Sequence, residues 1–348
     1  MLLLVAGHVY GLNPDTGLRQ PSGTLGHYLT DSFEPLRMPL FTVISGFVYA
    51  LRPVGSTADL PRLVRGKARR LLVPLVPLTA LVGGLQLVAG LGNGGLTVAD
   101  VARGYLYGYS SLWFLYAIFI VFVVVGVLDA RGLLASPRTW SLAWLASALT
   151  YVLVLLPSRF DVFSTNGALR LLPFFLLGLA LRRHASVLQS RRATQVALAV
   201  LVPSLAVAQY VVITDAAVPR TGSRALDVVV GTAGLVCLFR VRSAFRWRLL
   251  AWIGTYAFTI YLLHTVAAAG ARFALDAVGV ASVAVSFAVA GAAAITLPVL
   301  FHVTAGRIGI VRTVVLGERP RARVAPTPMT SGPATGDTAV REEVRRAA

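Results

Sequence analysis

The side chains able to do chemistry in this 348-residue chain are few, and several sit inside apolar runs. His8 lies in Val5-Ala6-Gly7-His8-Val9-Tyr10, and Arg37 stands near the entrance of Phe33–Leu51, which carries Ser45-Gly46-Phe47 in its middle. Tyr261 and His264 are three residues apart in a further apolar run, which puts them on one face of a helix. An imidazole titrates near neutral pH and can take a proton from a hydroxyl with no metal present. A charged side chain at mid-membrane costs about 2.5–3.5 kcal/mol on insertion scales, so Arg37 is expected to face protein or water. A Ser-Gly step lets a second backbone approach closely. The first two apolar runs therefore read as walls of an internal polar site. For His8 and His264 the alternative is an interfacial residue, satisfied by a backbone carbonyl or capping its helix. His27, His184 and His302 have no sequence neighbours that suggest a site.

Two further stretches admit two readings each. Arg65-Gly-Lys67-Ala-Arg69-Arg70 leads directly into the apolar run at Leu71. It is either a topology signal or a clamp for phosphate, which arginine forks bind bidentately. Ser111-Leu112-Trp113-Phe114-Leu115 is either part of an interfacial aromatic belt or a wall of a binding site. No Ser-His-Asp elbow, metal-ligand cluster, glycine-rich phosphate loop or nucleotide motif is present, so no metal is expected. The apolar runs read as free of acidic residues, which leaves histidine and tyrosine as candidate bases.

The elements that must position these groups follow from composition. Of the chain, 56% is hydrophobic and 13% charged, with a mean hydropathy of +0.75. Soluble domains carry about a quarter charged residues. The expected fold is all-α, a polytopic transmembrane bundle of about ten spans. The runs are Met1–Leu12, Pro39–Leu51, Leu71–Leu91, Leu112–Leu128, Trp140–Leu156, Leu169–Leu181, Ala193–Ile213, Leu226–Phe239, Leu249–Ala269 and Val280–Val303. The first is short for a crossing, so the expectation is either that the chain starts late relative to the natural start or that the first helix is incomplete. Residues 13–35, 92–111 and 214–225 carry Pro, Gly, Asp and Asn and read as loops. Residues 1–316 read as the membrane domain, and 317–348, rich in Pro, Thr, Gly, Arg and Glu, as a disordered cytoplasmic tail.

The net charge of +18 sits in short clusters between apolar runs with no aromatic-basic motif, so nucleic acid is not an expected partner. Arginine and lysine concentrate in alternate connections, which places both termini in the cytoplasm and the multi-pass chain in a plasma membrane in contact with anionic lipid. Cys237 is the single cysteine, so there is no intramolecular disulfide framework.

Taken together these pieces resemble the acyltransferase 3 family of integral-membrane acyltransferases. The landmarks are Gly7-His8, Met38-Pro39-Leu40-Phe41 followed by Ser45-Gly46-Phe47, and Lys67-Ala-Arg69-Arg70-Leu71. They continue with Leu112-Trp113-Phe114-Leu115, Phe175-Leu-Leu-Gly178 and Ile260-Tyr261-Leu-Leu-His264. Relatives with the Met-Pro-Leu-Phe pattern often have histidine where this chain has Arg37. The resemblance implies acyl transfer from acyl-CoA to a hydroxyl of a sugar, polysaccharide or lipid of the cell envelope, with acetyl the expected group. It implies that His8 is the catalytic histidine, that Lys67, Arg69 and Arg70 hold the CoA phosphates, and that Ser45, Gly46 and Phe47 line the acyl path. Arg37 is the candidate to polarise the carbonyl. Trp113, Tyr261 and His264 are candidates to contact the acceptor. The competing readings are a transporter or flippase of a lipid-linked sugar, which would need broken half-helices or a charged relay, and a non-catalytic membrane partner.

Overall fold

The computed structural model describes residues 1–11, 16–21, 23–88 and 97–319; the expected tail from residue 320 onward lies outside them. The described residues form α1 (Leu2–Tyr10), α2 (Leu25–Ser32), α3 (Glu34–Tyr49), α4 (Leu60–Val88), α5 (Val98–Tyr107), α6 (Trp113–Ala130) and α7 (Pro137–Leu153). They continue with α8 (Thr165–Arg183), α9 (Ala185–Leu188), α10 (Arg191–Thr214), α11 (Arg220–Arg240), α12 (Arg248–Thr255), α13 (Ala257–Ala277) and α14 (Val283–Thr304). There is no strand among them. Seven helical stretches are long and apolar enough to cross a membrane: those of α4, α5–α6, α8, α10, α11, α13 and α14. Every one of the apolar runs overlaps a helix, with α1, α3 and α7 the shorter members.

The middle of the bundle is α8. Its segment from Pro173 to Leu181 is buried throughout, because α3, α6, α7 and α11 all pack on it. Such a helix needs no polar face, and its sequence is apolar all round over these residues. The α3–α8 contact is the closest. A Cβ on Gly46 would overlap the carbonyl oxygen of Phe175, and one on Gly178 would overlap that of Val43. Two glycines thus bring two backbones together, as small residues do inside membranes. A second seam joins α13 to α14, with α1 against both. In contrast, most of α10 is exposed on the outside of the bundle, as an apolar helix facing lipid would be.

Three expectations need correction. Residues 25–32 and 98–107 are helical rather than loop, α3 begins inside the expected loop 13–35, and α11 begins inside the expected loop 214–225. For α5 the cause is a capping box in which Thr97 and Asp100 satisfy each other's backbone N–H. The basic stretch Arg52–Arg70, which reads as a loop from its charge, is likewise helical over most of its length: α4 begins at Leu60, runs through Gly66 and carries Arg62 to Arg70 on its first turns. Finally, the run Leu249–Ala269 is two helices, α12 and α13, separated at Tyr256.

Candidate active site

The two histidines expected to matter lie against each other. The imidazoles of His8 on α1 and His264 on α13 meet edge to face with centroids 4.9 Å apart. His8 Nδ1 donates to the Leu4 carbonyl at 3.0 Å. His264 Nδ1 faces the carbonyls of Tyr261 at 2.8 Å and Ile260 at 3.1 Å. A carbonyl only accepts, so each neutral ring carries its hydrogen on Nδ1 and presents a lone pair at Nε2. His264 is fully buried, and its Nε2 has no partner among the described residues. A buried acceptor left open is costly and is found at sites of chemistry.

Arg37 completes the cluster. It is 7% exposed, so it does face protein. Its guanidinium lies over Gly7, the residue before His8, where any Cβ would overlap Nη1. Nη1 itself is buried and unpartnered. An unpaired donor on α3 and an unpaired imidazole acceptor on α13 therefore both lie beside the Gly7-His8 step of α1. Glu34 and Asp31, on the turns before Arg37, supply compensating negative charge.

A line of rings leads from this cluster to the basic end of the bundle. Phe258, Tyr261 and His264 recur every three residues on α13, about 9 Å from first to last at 1.5 Å per residue. Tyr261 and His264 have ring centroids 6.1 Å apart. The Tyr261 hydroxyl donates to the Ser111 carbonyl, and its ring packs on Phe114 at 5.5 Å. At the other end the Arg70 guanidinium lies 4.2 Å over the Phe258 ring. Lys67 Nζ sits 3.5 Å over the Phe122 ring, and Arg69 Nε is buried without a partner among the described residues.

Other sequence-derived candidates lie elsewhere. Gly46 faces α8, as described, and Phe47 packs on Phe239 of α11 at 5.1 Å; Ser45 beside them is half-buried. Trp113 is half-buried, its ring against Gly167 of α8, where a Cβ would come within 2.6 Å. His27 donates from or accepts at Nε2 opposite the Gln20 carbonyl, which as an acceptor makes Nε2 the donor at 2.9 Å. His302 Nδ1 pairs with the Thr259 hydroxyl at 2.8 Å. Among the described residues no three His, Cys, Asp or Glu side chains gather as a metal site requires.

The apolar runs are not free of acid, as had been expected. Asp227 lies in α11, 3.7 Å from Arg170 of α8 and 3.3 Å from the Tyr151 hydroxyl that donates to it. Arg170 also reaches Glu34 at 3.2 Å. This network stands next to Arg37 and ties α3, α7, α8 and α11 together. The available signal was Asp227 inside an apolar run, with Glu34 one turn before Arg37.

The model of the acyltransferase 3 family, described as an acyltransferase domain, matches residues 1–303. The chain belongs to that family. Comparisons with curated proteins and with solved structures return no match. The chain is thus an acyltransferase 3 membrane protein, and the matched region ends at the last turn of α14, so it contains every residue of the histidine–arginine cluster.

Proposed function

We propose that the protein moves an acyl group, acetyl as the expected case, from acyl-CoA to a hydroxyl of an envelope sugar, polysaccharide or lipid. The observation that carries this reading is the meeting of His8, His264 and the unpaired Arg37 Nη1. In the transfer, His8 Nε2 accepts the proton of the acceptor hydroxyl as its oxygen attacks the thioester carbon. Arg37 Nη1 donates to the carbonyl oxygen as negative charge develops there. The carbon–sulfur bond breaks, and the proton held by His8 returns to the departing CoA thiolate. Both products are then neutral at the reacting atoms.

The donor enters at the basic end. Lys67, Arg69 and Arg70 meet the CoA phosphates, and the Phe258–Tyr261–His264 face guides the thioester toward His8. That end is cytoplasmic and the membrane is the plasma membrane, with both termini inside, because the arginine-rich turns of α4, α8 and α11 gather there.

General-base help is worth about 10²–10⁴-fold in rate. His8→Ala is therefore expected to abolish nearly all acyl transfer by the protein in membranes, with expression and acyl-CoA binding retained. Transfer that survives His8→Ala would move the role of base to His264.

A further inference from the structure

The basic end is not open. After α14 the chain turns back as a π-helical turn, Val311–Val315, and lies against α4. Pro74 has no N–H, so the Arg70 carbonyl lacks its helical partner. Gly317, at φ +62°, passes close over that carbonyl and the one of Arg69; any Cβ there would come within 2.6 Å of Arg70 O. This places Glu318 in front of the Arg70 side chain.

Glu318 is held by two guanidiniums. Its Oε1 is 3.3 Å from Arg70 Nη1, and its Oε2 is 3.1 Å from Arg312 Nη2. Arg70 Nη1 also donates to the Leu316 carbonyl at 2.9 Å. Among the described residues, one carboxylate thus answers two arginines, while Arg69 Nε and Arg312 Nε are buried with no partner. Charge and hydrogen-bond donors both exceed what Glu318 supplies. Phosphate groups, with more charge and more acceptor oxygens, match such a donor set better than one carboxylate.

We propose that Arg312 and Arg70 form an anion site in which Glu318 stands where a phosphate of the donor binds, so that acyl-CoA must displace Glu318 to enter. This rests on the donor reading given above. It adds Arg312 to the phosphate contacts and makes Glu318 an intramolecular competitor.

The test uses the full chain in phosphatidylcholine nanodiscs, with acetyl-CoA and inorganic pyrophosphate as separate probes. Glu318→Gln keeps the shape and an acceptor oxygen of the side chain but removes its charge. It is expected to tighten both probes by about two- to fivefold, the scale of a partly exposed ion pair. Arg312→Gln is expected to weaken both by a similar factor. A gain on acetyl-CoA but not on pyrophosphate would overturn the anion site, as would unchanged or weaker binding of both by Glu318→Gln. If anionic phosphatidylglycerol, added to the nanodiscs, abolishes the gain on both probes, the site belongs to lipid headgroups and the proposal fails. Absence of acetyl-CoA binding in wild type and variant alike would overturn the donor reading and this proposal together.

Discussion

The Arg37 guanidinium rests on the Cα of Gly7, one residue before His8, and no side chain of any size fits between them. A mutation at Gly7 therefore tests Arg37 without altering the guanidinium or the imidazole itself. Gly7→Ala is expected to push the guanidinium off its site and cut transfer by at least about tenfold, while overpacking costs about 1–3 kcal/mol of stability. Transfer assays paired with thermal unfolding in detergent separate the two effects. Transfer left at the wild-type rate would remove Arg37 from the mechanism.

Tyr261 offers a narrower change. Tyr261→Phe keeps the ring against Phe114 and removes only the hydroxyl that donates to the buried Ser111 carbonyl. Leaving that acceptor unpaired is expected to cost about 1–3 kcal/mol. A lower unfolding temperature with acyl-CoA binding retained is the expected result.

The other polar lock lies at the basic end. Arg183 grips Asp129 with both guanidinium nitrogens, 2.9 Å from Nη2 to Oδ2, and the Tyr49 hydroxyl donates to the same carboxylate at 2.9 Å. Asp129 is 5% exposed on its side chain. Asp129→Asn leaves Arg183 without its charge partner and is expected to cost about 3–5 kcal/mol. Asp129→Leu combined with Arg183→Met should recover much of that loss. A double variant no more stable than Asp129→Asn would show that the pair does more than neutralise itself.

Gly178 presents a different kind of constraint. Gly178→Val would drive a branched side chain into the Val43 carbonyl, and backbone cannot move aside as a side chain can. Loss of folded protein from detergent-solubilised membranes is the expected outcome. A monodisperse Gly178→Val protein would contradict the seam described for α3 and α8.

Much of this fold was legible because apolar runs of membrane-spanning length announce themselves. Their ends were less so. Thr97 and Asp100 carry a capping signal, yet the surrounding Gly and Asn suggested loop, and a cap counts only when the helix after it finds a surface to pack on. Arg170 stands at the start of the run Leu169–Leu181, and its sequence neighbours name no partner for it. Its partners Glu34 and Asp227 come from other helices, and no spacing rule links them. His8 and His264 were each legible as candidates from their own runs. Their contact depends on α1 reaching α13 across the bundle, which is a property of packing alone. The same holds for Gly46, which suggested close approach without naming α8 or Gly178 as its counterpart.

That glycine seam also restricts how the molecule can move. Turning either helix about its own axis at this crossing would bring a Cβ-bearing neighbour of Gly46 or Gly178 onto a carbonyl that leaves no room for it. The two backbones are held in one register, with α8 buried at the centre of the molecule and α3 reaching its outside. Rocking of one half against the other, as carriers use to expose a cargo first on one side and then on the other, would have to break this contact if its hinge line ran between α3 and α8. Both imidazoles of the histidine pair lie outside that seam, on α1 and α13.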